Sequence, residues 1–216
     1  MLFRSLRLLT SSPPGKLRFT IVDPVALGQN FAGLMHLADY EDSLVNGRIW
    51  TQPAQIEKQL AAIGEHMEKV IQTYLRNEYR TITDYNEKAG AIAEKYHVLI
   101  VADFPTGFTD LAVERLAGIA ATGARCGVYT LVHWDQRQRA PAGAALDELR
   151  RHAVIVRSAG GPFQLAAAAR GAELSLDAPP QPAVANRLLP EIGRAPIHAS
   201  PGRGPLHQGA AGQGGR

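Results

Sequence analysis

Residues 97–105 (HVLIVADFP) constrain the chain more than any other stretch. Val98, Leu99, Ile100 and Val101 are consecutive apolar residues, and all but Leu99 are β-branched. An apolar run without alternation reads as a strand buried on both faces, the signature of a parallel sheet. The run stops at Asp103, and Pro105 cannot continue a central strand. In open α/β sheets ligands collect beyond the carboxyl ends of the strands, so an acid here is well placed for chemistry. The segment also has the shape of a Walker B strand, whose acid holds Mg²⁺ beside a nucleotide. A structural reading stands next to that one: Asp103 caps the following loop or helix, as acids at strand ends commonly do.

The rest of the chain alternates strands with helices. Residues 17–23 (LRFTIVD) form a strand that again ends on an acid, Asp23, closed by Pro24. Residues 127–132 and 153–156 read as two further strands, and 48–50 as a short one within the loop 25–53. From 55 to about 76, Ile56, Leu60, Ile63, Met67, Val70 (or Ile71) and Tyr74 recur at steps of three and four, one stripe of a helix. Asp84 is the expected N-cap of a shorter helix. Thr109 caps another to about 121, with Leu111, Val113, Leu116 and Ile119 inward, and 146–151 is a short helix. Phe3, Leu6, Leu8 and Leu9 look like the last turns of an apolar helix. This order predicts an α/β fold with a mostly parallel sheet. Composition shifts after Ala178-Pro179-Pro180, so the expected division is a domain over 1–177, a linker-like segment over 178–193 and a disordered tail over 194–216.

Composition excludes more than it selects. The chain has 216 residues, enough for one domain, and its net charge of +3 is too small to announce nucleic acid by itself. A single cysteine, Cys126, rules out an internal disulfide and fits a reducing cytoplasm; it reads as a buried, inert thiol. No uncharged apolar stretch approaches bilayer-crossing length, and Arg7 interrupts what would otherwise resemble a signal peptide, so export is not expected. No G-x-x-x-x-G-K-[ST] occurs, and Gly15-Lys16 precedes a strand rather than a helix. No G-x-G-x-x-G follows a strand, and no C-x-x-C exists. His36 and Asp39 read as a solvated loop pair, since zinc takes three or four protein ligands. His66 reads as a surface histidine beside the helical stripe. The strand ends bring Asp23, Asp103 and His133-Trp134-Asp135 to one rim, an arrangement suited to a metal–phosphate site.

Taken together, these residues resemble the FtsK/SpoIIIE family of DNA-translocating ATPases. The resemblance runs over about two-thirds of the chain, 17–157. It is carried by LRFTIVDP, by Met35-His36-Leu37, by the helix with Glu65-His66-Met67-Glu68 and by Arg80 to Lys88. VLIVADFP and GIAATGARCGVYTLVHWDQR complete it, and ELSLDAPPQPAVANRLLPEIG resembles an inter-module linker of multi-module members. It implies a three-layer RecA-like P-loop NTPase fold, incomplete at its N-terminus, with ATP and Mg²⁺ as cofactors and with DNA and sister ATPase modules as partners in an oligomer. Asp103 would hold Mg²⁺, Asp23 would support it, and Asp135, Gln136 and Arg137 are the phosphate-sensor candidates. The sequence departs from the family where Phe104 occupies the place of the Walker B glutamate. Gln136-Arg137 meets the family's Gln-Arg only with a shift of one residue. The resulting expectation is an ATP- and DNA-binding translocase module, truncated or degenerate, that does not hydrolyse ATP alone and whose standing as an enzyme is open. A non-catalytic module packed against active ones, and an unrelated doubly wound domain for a small ligand, are the alternatives.

Overall fold

The fold was read from a computed structural model that describes residues 2–13, 15–37, 39, 45–139, 143–158, 163–166, 174, 178 and 181–199. Its centre is a four-stranded, wholly parallel sheet built from β1 (Leu17–Val22), β2 (Ile49–Trp50), β3 (Tyr96–Phe104) and β4 (Val128–Trp134), in the order β2-β1-β3-β4. β3 is the inner strand paired along most of its length on both sides, and from His97 to Ala102 every residue is buried. That explains why its sequence does not alternate.

Helices cover both faces. On one, Val22, Leu99 and Val101 meet Ile56, Leu60, Ile63 and Met67 of α2 (Pro53–Lys69). Ala112, Val113 and Leu116 of α4 (Asp110–Thr122) join them, with Leu146 and Leu149 of α5 (Ala144–Arg151). On the other, Leu17, Phe19, Ile21, Val98 and Ile100 pack against Phe31, Leu34 and Leu37 of the 3₁₀ segment Gln29–Leu37. Leu9 of α1 (Leu2–Ser11) and Leu189 of α6 (Pro182–Ala199) close that side. The two apolar sets make a three-layer α/β/α architecture, as the sequence led us to expect. No helix among the described residues is long and apolar enough to cross a membrane.

Several local expectations are corrected. The run 153–156 does not join the parallel sheet: Val154 is exposed, and β5 (Val156–Arg157) pairs antiparallel with β6 (Gln164–Leu165). Leu111 faces solvent while Ala112 takes the inward position. The long helix stops at Lys69 and continues as a π-turn, Val70–Leu75. α6 crosses the expected linker–tail boundary at 194, and Leu189 packs it onto the domain; residues 200–216 of the tail lie outside the described residues. The N-cap of α3 (Ile82–Ala89) is Thr81, not Asp84. Thr81 Oγ1 accepts the Asp84 amide at 3.2 Å and Asp84 Oδ2 accepts the Thr81 amide at 2.9 Å, a capping box. Thr81→Ala is therefore expected to cost about 1 kcal/mol, read as a fall in the urea midpoint at unchanged slope.

Candidate functional site at the carboxyl rim of the sheet

Parallel pairing in register carries the chain's acids to one edge. Val22 stands beside Val101 and Val101 beside Val132, so Asp23, Asp103 and Asp135 all follow the carboxyl ends of neighbouring strands. The register shifts between Val101 and Phe104, and Asp103 takes a left-handed backbone, φ 53°. The shift separates two adjacent side chains. Asp103 is left partly exposed at the rim, whereas Phe104 is fully buried, edge-on to Phe108 and Trp134 at centroid distances of 5.1 and 5.2 Å.

Asp103 is already engaged. Its Oδ1 lies 3.0 Å from His133 Nδ1, and its own amide nitrogen lies 3.4 Å from the same ring atom. One ring nitrogen cannot donate and accept at once, and the shorter contact is to the carboxylate. We therefore assign the proton to Nδ1, donated to Asp103. Asp135 is held more firmly. Arg137 reaches its carboxylate through Nε at 2.8 Å and Nη2 at 2.9 Å, and the Arg137 amide adds a third bond at 3.0 Å. Those side-chain bonds, then the amide, hold the Asp135 carboxyl down at about 2, and the pairing raises the Arg137 guanidinium in turn. The two sensor candidates thus neutralise each other, while Gln136 between them is exposed. Asp23 is fully buried; Oδ1 accepts the Ala26 amide at 3.3 Å, and Oδ2 has no protein partner among the described residues.

The loops are tied together around these acids. The Asp135 amide donates to the Phe104 carbonyl at 2.9 Å, and Thr106 Oγ1 donates to Gln138 Oε1 at 2.6 Å. A Cβ at Gly107 would sit 3.1 Å from Pro24 Cβ, so the loops after β1 and β3 touch there. At the start of α2, Glu57 accepts the Thr109 hydroxyl, and its carbonyl accepts Arg115 at 3.1 Å.

Other candidates fall away from the rim. His36 Nδ1 and Asp39 Oδ2 are 3.5 Å apart and both exposed, and no group of three metal-ligating side chains occurs among the described residues. Cys126 is buried, its thiol pushed up by desolvation. His66 is not a surface histidine: its Nε2 is buried and its ring meets His97. The buried pair of His97 and Thr20 escaped sequence reasoning, although Arg18 and Thr20 alternating through an apolar strand were a visible signal.

Known structures share this shape. EssC ATPases 2 and 3 from Geobacillus thermodenitrificans superpose with a TM-score of 0.64 at 15% identity, covering 92% of this chain and 42% of that one. The cytoplasmic domain of EssC gives 0.60 at 16% identity, over 92% of this chain and 43% of that one. The pCW3 conjugation coupling protein TcpA, in its monomer form with ATPγS, gives 0.51 at 14% identity, over 68% and 41%. The chain has a RecA-like fold shared with these structures. It spans less than half the length of each of the three. No protein-family model matches the sequence, and no curated protein matches it.

Proposed function

We propose that this chain is an ATP- and DNA-binding module of an FtsK/SpoIIIE-like translocase, one that does not turn over ATP by itself and works in the cytoplasm beside sister modules. The observation that carries the reading is a fold shared with ATPase domains over 92% of the chain, with Asp23, Asp103 and Asp135 at the edge where such sheets gather ligands. The motif order of the sequence supports the same family. β4 is an outer strand among the described residues yet has no Lys, Arg, Asp or Glu in Val128–Trp134, which supports association with another module.

Mg²⁺ fits the donor set. This ion takes one or two carboxylates and fills its octahedron with water and phosphate oxygens, so Asp103 alone suffices. When bound, the ion would offset the negative charge of a nucleotide's phosphates. Asp23, buried behind the rim, would orient that shell through Oδ2, and Arg137 would reach phosphate only after leaving Asp135. Nothing in the 216 residues supplies a P-loop lysine motif, and the side chain after Asp103 is an apolar ring turned into the core.

The test is fluorescent ATP binding and phosphate release with Mg²⁺, comparing the protein with Asp103→Asn. We expect weak Mg²⁺-dependent binding that Asp103→Asn reduces about tenfold, as for loss of one charge-assisted contact worth about 1.4 kcal/mol. No turnover is expected above the variant. Turnover that disappears in Asp103→Asn would overturn the non-hydrolysing part, and equal ATP binding by both proteins would overturn the site. Duplex DNA binding should be weak and fall steeply with salt. A second reading, a structural module without ligands of its own, is favoured by the two rim carboxylates already satisfied by His133 and Arg137. Absence of both ATP and DNA binding would select it.

A further inference from the structure

At the end of the sheet opposite the acid rim, the elements β1, α2 and β3 bring nitrogen-bearing side chains together without enough acceptors. Arg18 stands in register with His97, on the face that α2 covers. The His66 ring of α2 meets the His97 ring edge-on, with centroids 6.2 Å apart. His97 is 5% exposed, and its Nε2 is 2.8 Å from the buried Thr20 hydroxyl. Thr20 also accepts Asn46 Nδ2 at 3.3 Å, and Asn46 donates at 2.7 Å to Gln59 Oε1 of α2. Three nitrogens are left with no protein partner among the described residues: Arg18 Nε, His66 Nε2 and His97 Nδ1.

We propose that His66 and His97 form an acid-sensitive latch: while neutral they hold the C-terminal half of α2 against the sheet, and proton uptake by either drives that half away. A proton added to His97 Nδ1 or His66 Nε2 creates a buried N–H with nothing to receive it, beside a guanidinium. The charged groups acting on His66 are Arg18 of β1, Lys69 of α2 and Glu94 ahead of β3; Arg18 and His66 act on His97. Glu94 is the one acid among them, against two fixed cations. Burial first, then Arg18, lowers both histidines, His97 to about 3.

The adjoining backbone suits a local opening. α2 passes directly into the π-turn Val70–Leu75, which ends at two residues with left-handed φ, Arg76 and Asn77. The other end of α2 is fixed at the rim through Glu57, Thr109 and Arg115. The helix therefore opens from its π-turn end, leaving the rim in place.

Because both histidines lie below the ordinary value in the folded state, the closed form is fully favoured above about pH 6.5 and loses ground as pH falls from there toward the value His97 holds. Each excluded proton raises the opening constant about tenfold per pH unit in that window. The experiment is amide hydrogen exchange on the full chain between pH 7.5 and 5, corrected for intrinsic rates, with His97→Gln and His66→Gln alongside. Protection in 62–75 should fall by between about tenfold and about a hundredfold per pH unit below 6.5, one factor of ten for each excluded proton, while β3 keeps its protection, and each variant should lower that slope. A pH-independent protection pattern, or the wild-type slope retained in both variants, would overturn the latch. Should a variant not fold, ring titration of the wild-type protein decides. A midpoint at His97 near the ordinary value of a free imidazole would refute the proposal.

Discussion

Phe104→Glu is expected to unfold the domain rather than create an ATPase. The substitution would write the Asp-Glu pair of the FtsK/SpoIIIE family, which the sequence resembles, into the end of β3, and sequence alone recommends it as a gain-of-function change. The structure reverses that expectation, because Phe104 is fully buried between Phe108 and Trp134. Losing the ring costs about 3–5 kcal/mol. A carboxylate carried into the same apolar space adds several more, or takes up a proton and ceases to be a base. Against a typical total of 5–15 kcal/mol, the sum removes most or all of the stability. Circular dichroism and a urea titration would show loss of the cooperative transition. A folded variant with a near-native midpoint would mean that position 104 can turn to the rim.

Gly127→Ala should cost about 2–5 kcal/mol, through two additive faults. Gly127 has φ 74°, where an L side chain costs about 1–2 kcal/mol. A Cβ there would also lie 2.7 Å from Ile82 Cγ2 and 3.1 Å from Tyr96 Cδ1, and overpacking of this kind costs about 1–3 kcal/mol. The residue immediately precedes β4, and its carbonyl accepts the His97 amide at 2.8 Å, so relief by backbone movement would disturb the β3–β4 ladder. Gly118→Ala in α4 is the contrast, since a Cβ there meets nothing within 4 Å and its φ is not in the left-handed region. It should gain about 0.5–1 kcal/mol from helix propensity. Urea midpoints at equal slope separate the two; similar destabilisation by both would rule out the steric account.

The features readable in the sequence were those in which burial and periodicity agree. β3 declared itself because a strand covered on both faces has no polar side to alternate with, and α2 because its stripe recurs over four turns. The run Ala153-Val154-Ile155-Val156 carries the same local signal, but Val154 lies open to solvent and the strand that follows pairs antiparallel with β6 instead of joining the parallel sheet. Composition cannot report which partner a strand takes. The cap of α3 was displaced by three residues because Thr81 and Asp84 are both good cap residues, and only their reciprocal bonding shows which holds which position. At the rim, the acids were legible as residues that end strands, but their engagement was not. That Arg137 folds back onto Asp135, and that His133 reaches Asp103, depends on loop paths set by the Phe104 carbonyl and Gln138.

The left-handed twist at Asp103 limits what inheritance can do there. At φ 53° only glycine, asparagine and aspartate sit without appreciable strain. A mutation to valine or threonine would pull the residue back to extended geometry and swing the following turn, with Thr106 and Gly107, off Pro24. Backbone tolerance thus filters variation at this codon before any selection for cation binding can act. Among natural variants, an asparagine at 103 would mark a lineage that kept the turn and gave up the charge.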